Sequence, residues 1–312
     1  DWRDLLAEMQ QASGVPLARF GEQYILRPGA PLVEVELEGN GGAIGSLRLV
    51  QRPAVGDADT ASWWPGRIAV RLGYGQADDV VIPVDFSGAV TEVPDAQGLP
   101  MPDFVYPNDG DYGYGIFLLD ARSQRDLLGR VGELRDPLLE TLVWGSLWDL
   151  VRETRVEPAA WVEAALRELP DENDPQLAEF LLSRVGIALD RYLPPAAGAD
   201  IAELRERYET FLVGYFDRSG DSYDLRKGRL DALLATARTP GALEVVEALL
   251  RGLRKFNGAP LPQPGRWTAV RTLIANGHPA ADSILATEAA RDDSPEGERQ
   301  AFIAGAARPG PA

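Results

Sequence analysis

The hydrophobic period of this chain changes near Asp120, from strand-like to helical, and that change forces two kinds of packing into one polypeptide. From Leu32 up to it, apolar and polar residues alternate, the period of a half-buried strand. After it, apolar residues recur at three- and four-residue intervals, the period of an amphipathic helix. A chain of 312 residues is long enough to bury roughly 75% of its unfolded surface and exceeds what one hydrophobic core usually serves. The spacing therefore predicts a multidomain β + α protein, with a small antiparallel β-sandwich followed by an all-α superhelical (α–α) domain.

The alternation is strictest where Val33, Val35 and Leu37 interleave with Glu34, Glu36 and Glu38, giving one apolar and one charged strand face. Asn40-Gly41-Gly42 tolerates positive φ and predicts a hairpin return through Leu47 and Leu49. Ile68 to Tyr74 and Val80 to Phe86 repeat the pattern. With Val90 to Val93 and Ile116 to Leu119 they predict about six short strands separated by Gly/Pro turns, the signature of a sandwich.

Ahead of the strands, Trp2, Leu5, Leu6 and Met9 share one helical face, Ser13-Gly14 interrupts it, and a second short helix carries Leu17, Phe20, Tyr24 and Ile25 to Pro28-Gly29. Two short helices cannot cover both of their faces, so this segment reads as the edge of another domain.

Beyond Asp120, four helix starts are marked by a capping residue followed by proline: Asp136-Pro137, Asp174-Pro175, Thr239-Pro240 and Ser294-Pro295. The cap oxygen accepts an orphan N–H, and proline at the first position lacks only a donor that the helix does not use. Leu204, Tyr208 and Leu212 form one apolar stripe; Leu243, Val246, Leu250 and Leu253 form another. No fixed repeat length names a solenoid class.

Composition removes several functional classes. A net charge of −17 repels phosphate backbones, which argues against nucleic acid as a partner. Hydrophobic residues at 45% and charged residues at 25% describe an ordered globular chain, and no apolar run is long enough for membrane insertion. Lys227 and Lys255 are the only lysines, so nearly all positive charge is guanidinium, suited to structured pairing with carboxylates. The absence of cysteine excludes disulfides and thiolate metal sites but fits a cytoplasmic or a periplasmic setting equally.

The one histidine, His278, precedes Asp282 and Ser283, but residues this close on one short segment cannot orient an imidazole and also aim a nucleophile at a substrate. Asp217, Ser219 and Asp221 begin like a calcium loop, yet Ser222 replaces the turn glycine and Gly228 falls where a bidentate acid belongs. Asn108, Asp109 and Asp111 have the composition of a turn. Gly73-Tyr74-Gly75 lacks the third glycine and following helix of a pyrophosphate cradle. Trp63-Trp64 could offer a carbohydrate platform, but adjacent strand residues face opposite ways, one to the core and one outward. Trp144 and Trp148, four apart on a helix, read as packing anchors. No catalytic, cofactor-binding or metal-ligating residue is assigned.

The order of these segments resembles the C-terminal portion of the aminopeptidase N family of zinc metallopeptidases. Ser13-Gly14, the aromatic helix Phe20 to Tyr24 and Gly29-Ala30-Pro31 are similar to the end of that family's thermolysin-like catalytic domain and its entry into a β-sandwich. Pro107-Asn108-Asp109-Gly110 through Tyr114-Gly115-Ile116-Phe117 to Asp120 looks like the link from sandwich to helical domain. Asp136-Pro137 with Leu142-Val143-Trp144-Gly145-Ser146-Leu147-Trp148-Asp149, Arg266-Trp267 and the Ala306-Ala307-Arg308-Pro309 ending look like parts of the helical domain itself.

The resemblance implies a catalytic-domain tail at 1–28, a β-sandwich at 29–122 and a helical C-terminal domain at 123–312, truncated at its end. It implies a role in covering the active-site cleft of a peptide-cleaving enzyme and limiting substrate access. Zinc is implied for the parent enzyme and no cofactor for this chain, because the H-E-x-x-H and G-x-M-E-N motifs are absent. The implied partners are the missing N-terminal and catalytic domains of the same polypeptide and the peptide substrate. The competing expectation is a stand-alone interaction scaffold, with a helical superhelix beside a β-sandwich binding module, and a third is that this module binds carbohydrate through Trp63-Trp64.

Overall fold

Successive side chains of a strand face opposite ways, so the Val33–Val35–Leu37 series selects one side of β1 (Pro31–Asn40) for burial and leaves Glu36 and Glu38 outside. A computed structural model describes residues 1–55, 63–75, 77–193 and 198–310. In it β1 pairs antiparallel with β2 (Ala43–Pro53), in register from Pro31 opposite Pro53 to Asn40 opposite Ala43, with one shift between Glu38 and Gly39. Gly41 (φ 60) and Gly42 (φ 88) form the two-residue turn, where positive φ at both positions matches the twist of the flanking strands.

β3 (Gly66–Gly73), β4 (Val80–Phe86), β5 (Val90–Glu92), β6 (Phe104–Tyr106) and β7 (Ile116–Leu118) complete two sheets, ordered β5-β2-β1-β7 and β4-β3-β6. Val33, Val35, Ile44, Leu47 and Leu49 of the first meet Ile68, Val70, Leu72, Ile82, Val84 and Phe86 of the second in one shared core. This is the expected sandwich, with two differences of detail. β6 escapes periodicity because three buried residues show no alternation. β7 joins β1 in parallel, Leu32 opposite Ile116, because it reaches the sheet edge from a strand of the other sheet and not through a hairpin. Gly73 has a steric reason of its own, since a Cβ there would come 2.1 Å from the Phe104 ring.

Asp1 caps α1 (Trp2–Ser13), and Gly14 in the left-handed conformation (φ 71) ends it. The second short helix begins as α2 (Ala18–Phe20) and widens into a π-helical turn over Gly21–Leu26. On the far side of the strands, Asp120 caps α3 (Ala121–Arg130), whose Ser123 hydroxyl accepts the Val105 N–H at 2.8 Å. α4 (Pro137–Arg152) buries Val143, Trp144, Leu147, Trp148, Leu150 and Val151 and packs on β7. Trp144 and Trp148 are thus packing anchors. Glu34 of β1 accepts hydrogen bonds from Arg52 and Arg155, and Arg52 also reaches Glu153, which ties the strands to the end of α4. These elements make one compact unit, Asp1–Glu157.

The second unit, Pro158–Ala312, is helical. It contains α5 (Pro158–Glu168), α6 (Pro175–Ile187), α7 (Ala199–Tyr215), α8 (Tyr223–Thr236), α9 (Pro240–Leu250), α10 (Gln263–Ala275), α11 (Ala281–Arg291) and α12 (Pro295–Ala306). Alternate helices pack together: α5 on α7 and α7 on α9 in one row, and α6 on α8, α8 on α10 and α10 on α12 in another. Two rows joined by short connections are the α–α arrangement.

All four proline-marked starts are N-caps whose side chains accept backbone N–H groups. At α6 the Asp174 carboxylate takes the N–H of Gln176 at 2.7 Å and of Leu177 at 3.2 Å. Asp174→Ala is expected to cost about 1 kcal/mol in urea unfolding, and Asp174→Asn only a fraction of that. The stripe expected to end at Leu253 is different. Gly252 (φ 72) follows the end of α9 and turns the chain, Leu253 is 81% exposed, and the buried face is Ala242, Val246, Leu249 and Leu250.

Candidate functional site

His278 lies in the turn after α10, where its Nδ1 accepts the Ala280 N–H at 3.1 Å and its Nε2 faces Glu247 of α9 at 3.4 Å. Asp282 instead pairs with Arg308. The imidazole, Asp282 and Ser283 are therefore not brought together as a hydrolytic trio. The residues that begin like a calcium loop are likewise committed elsewhere. The Asp217 carboxylate accepts Arg226 and the Asn257 N–H, and Asp221 accepts both Arg218 and Arg229.

Asn108 is a turn residue. Its carbonyl oxygen accepts the Gly113 N–H at 2.8 Å, and its amide donates to Asp111 and to the Gly113 carbonyl. Asp109 holds the Arg71 guanidinium at 2.7 Å. Trp64 is buried, its backbone is clamped by Gln51, and its ring is covered by Arg27 at 3.5 Å; Trp63 is half-buried. Both residues precede β3 and do not lie in it, but one ring is in and the other partly out, which leaves no paired platform for a sugar.

Among the described residues no group of three or more His, Asp or Glu side chains is placed to hold a metal ion, and no helix is long and apolar enough to cross a membrane. Among the described residues the one imidazole faces Glu247 and Ala280 and is not gathered with other side chains of zinc-ligand type.

What the first unit does present is uncovered apolar surface. Of the expected α1 face only Leu6 is buried, while Leu5, Met9, Val15, Phe20, Ile25 and Leu26 are exposed. Beside them lies an aromatic cleft of about 470 Å³ between the π-helical turn and the sheets, lined by Phe20, Tyr24, Ile25, Phe86, Tyr112 and Tyr114. Phe20 stacks on Tyr24 with centroids 5.1 Å apart, Tyr24 meets Tyr114 edge-on, and the Tyr24 hydroxyl donates to the Pro65 carbonyl at 2.6 Å. Burial raises the Tyr24 pKa, so its hydroxyl is a neutral donor. Exposed apolar side chains gathered beside such a cleft suit an interaction surface.

The helical unit holds its charges inside. Arg266 of α10 makes a two-pronged pair with Glu288 of α11 at 2.8 and 2.5 Å, Gln263 donates to the same carboxylate, and Arg266 also donates to the Leu250 carbonyl at 2.7 Å. Burial alone would raise the Glu288 pKa, but the bonds from Arg266 and Gln263 outweigh it and hold the carboxyl below its ordinary value. Glu209 of α7 is buried and accepts the N–H groups of Arg238 and Thr239, closing the start of α9. Neither role was legible in the sequence, since both depend on partners more than twenty residues away. Between α6 and α8 runs a groove of about 930 Å³ whose lining includes Leu182, Gly186, Glu179, Asp224 and the Lys227–Asp231 pair.

Comparison with known proteins agrees with this architecture. Aminopeptidase N of Streptomyces lividans is 29% identical over 317 residues, a match that covers 98% of this chain and 36% of that protein. The chain thus spans little more than a third of the length of the curated relative it matches. The family model described as the ERAP1-like C-terminal domain matches residues 104–312, from β6 to the end of the chain. With more than half of its residues inside that match, the chain belongs to the ERAP1-like C-terminal domain family.

Proposed function

We propose that this chain is the non-catalytic C-terminal region of a zinc-dependent aminopeptidase that removes N-terminal residues from peptides. Residues 1–28 are the tail of its catalytic domain, 29–122 its β-sandwich and 123–312 the helical domain that covers the active-site cleft and limits substrate access. The observation that carries this reading is the set of exposed apolar side chains from Leu5 to Leu26, of which Phe20 and Ile25 line the aromatic cleft, on a chain that corresponds to 36% of an aminopeptidase N. Such a set suits the missing catalytic domain as its partner. One histidine and no cysteine also leave the hydrolytic centre to be supplied from outside this segment.

Purified chain with added zinc is expected to release no product from aminoacyl-anilides, whereas the polypeptide that includes the in-frame upstream region is expected to contain H-E-x-x-H and to cleave them. Leu5→Asp with Phe20→Asp in that longer protein should lower activity by loosening the catalytic domain. Zinc-dependent hydrolysis by the isolated chain, or an upstream region without a zinc motif, would overturn the reading. The second reading, a stand-alone scaffold, draws on the two-row helix packing and predicts a start codon beside Asp1.

A further inference from the structure

Asparagine followed by glycine is chemically labile, because the glycine nitrogen carries no neighbouring side chain to hinder its attack on the asparagine amide carbon. The sequence contains this pair three times, at Asn40-Gly41, Asn257-Gly258 and Asn276-Gly277. Sequence alone ranks them equally, but the structure does not.

At Asn276 both reacting groups are engaged. The side-chain amide donates to the Ala237 carbonyl at 3.1 Å and to the Thr272 carbonyl at 2.8 Å, and the Gly277 N–H donates to the Ile274 carbonyl at 3.0 Å. At Asn257 the obstacle is torsional. The residue sits at φ 51 between Phe256 and Ala259, which exchange two backbone hydrogen bonds at 3.0 and 2.9 Å, and its own N–H is held by Asp217. In the left-handed region, with ψ near about +47°, the next nitrogen lies on the far side of the Cα–C bond from Cβ. A five-membered ring through Cγ cannot close without dismantling that turn.

Asn40 is restrained less: its amide and the Gly41 N–H are not engaged as they are at Asn276, and from extended backbone ring closure needs a smaller rotation than from the left-handed region, although its pairing with Ala43 must loosen. It is the exposed last residue of β1, in extended backbone, and among the described residues no hydrogen bond engages its side-chain amide or the Gly41 N–H. The rotation that ring closure requires falls at the junction with Gly41 and Gly42, the two softest residues of the hairpin.

We propose that Asn40 is a self-modification site, where the folded protein converts a side-chain amide to a carboxylate through a cyclic imide while Asn257 and Asn276 are protected. The Gly41 nitrogen loses its proton to solvent base and attacks Cγ of Asn40. The new N–Cγ bond forms as the Cγ–Nδ2 bond breaks, and ammonia leaves with a proton from water. One water molecule then opens the imide at either carbonyl, giving aspartate or isoaspartate, and no oxidation or reduction is involved. The new charge falls on a hairpin where Glu36 and Glu38 already share Arg48, at 2.9 and 3.6 Å. The isoaspartate branch also adds a methylene to the main chain at the Asn40–Ala43 pair, which weakens the register of β1 against β2.

The test is peptide mapping by mass spectrometry, with separation of aspartate from isoaspartate, after incubation of the folded chain in mildly alkaline buffer and of the same chain in denaturant. In denaturant all three sites should lose their amides at similar rates. In the folded chain Asn40 should react at least about tenfold faster than the other two and give both acids. Folded-state reaction at Asn257 or Asn276 matching that at Asn40, an intact Asn40 when the denatured chain has reacted, or aspartate without isoaspartate would each overturn the proposal.

Discussion

Replacing Arg266 by methionine is expected to destabilise the helical unit by about 3–5 kcal/mol, seen as a lower urea midpoint with an unchanged slope. The magnitude follows from what is left behind. Glu288 is 1% exposed, and without the guanidinium it retains only the Gln263 amide, while the Leu250 carbonyl loses its donor. Removing one partner of a buried pair strands a charge in a low-dielectric interior, whereas removing both need not. Adding Glu288→Leu to Arg266→Met should therefore recover a large part of the loss. Additive losses in the double variant would show that the two side chains act independently and that the cost lies in packing alone.

That pair illustrates how legibility divides between fold and site. The strands were readable because one face of each is buried, which leaves a period of two in the sequence: Val33, Val35 and Leu37 are inward and Glu36 and Glu38 outward. Helix starts were readable because capping is local, so Asp136, Asp174, Thr239 and Ser294 each act within three residues of their own position. Features set by distant partners were not. β6 has no period, the parallel pairing of β7 depends on a crossover, and Leu253 lies outside the buried face because a glycine turn follows the end of the helix.

The candidate site divides in the same way. Sequence spacing could show that His278, Asp282 and Ser283 are too close together for triad geometry, and the structure supplies each with a different partner: Glu247 and Ala280 for the imidazole, Arg308 for Asp282. It could also show that the first helices have more apolar surface than two short elements can hide, and Leu5, Met9 and Phe20 are indeed exposed. The near-absence of lysine pointed to structured ion pairs, and Arg71, Arg205, Arg229 and Arg266 bear it out. Which carboxylate each guanidinium chooses is a tertiary fact with no local trace.

Those pairs are expected to set the acid limit of the fold. Glu34, Asp190, Asp221 and Glu288 all have pKa values below their ordinary ones. For Asp221 the Arg218 and Arg229 hydrogen bonds are the cause; for the other three, burial pushes upward and arginine hydrogen bonds overcome it. A carboxylate with a lowered folded-state pKa contributes its stability above the unfolded-state value, 4.5 for glutamate and 3.8 for aspartate, and loses it as pH falls towards the folded value. Unpaired surface carboxylates act in the opposite direction, because protonating them relieves the self-repulsion of a chain with net charge −17. The urea midpoint should therefore hold or rise slightly as pH is lowered to about 5 and then fall steeply below about 4.5. In the Arg266→Met, Glu288→Leu double variant the fall should be shallower, since one of the titrating pairs is gone. An acid limb of equal steepness in that variant would place the origin of acid unfolding outside the Arg266–Glu288 pair.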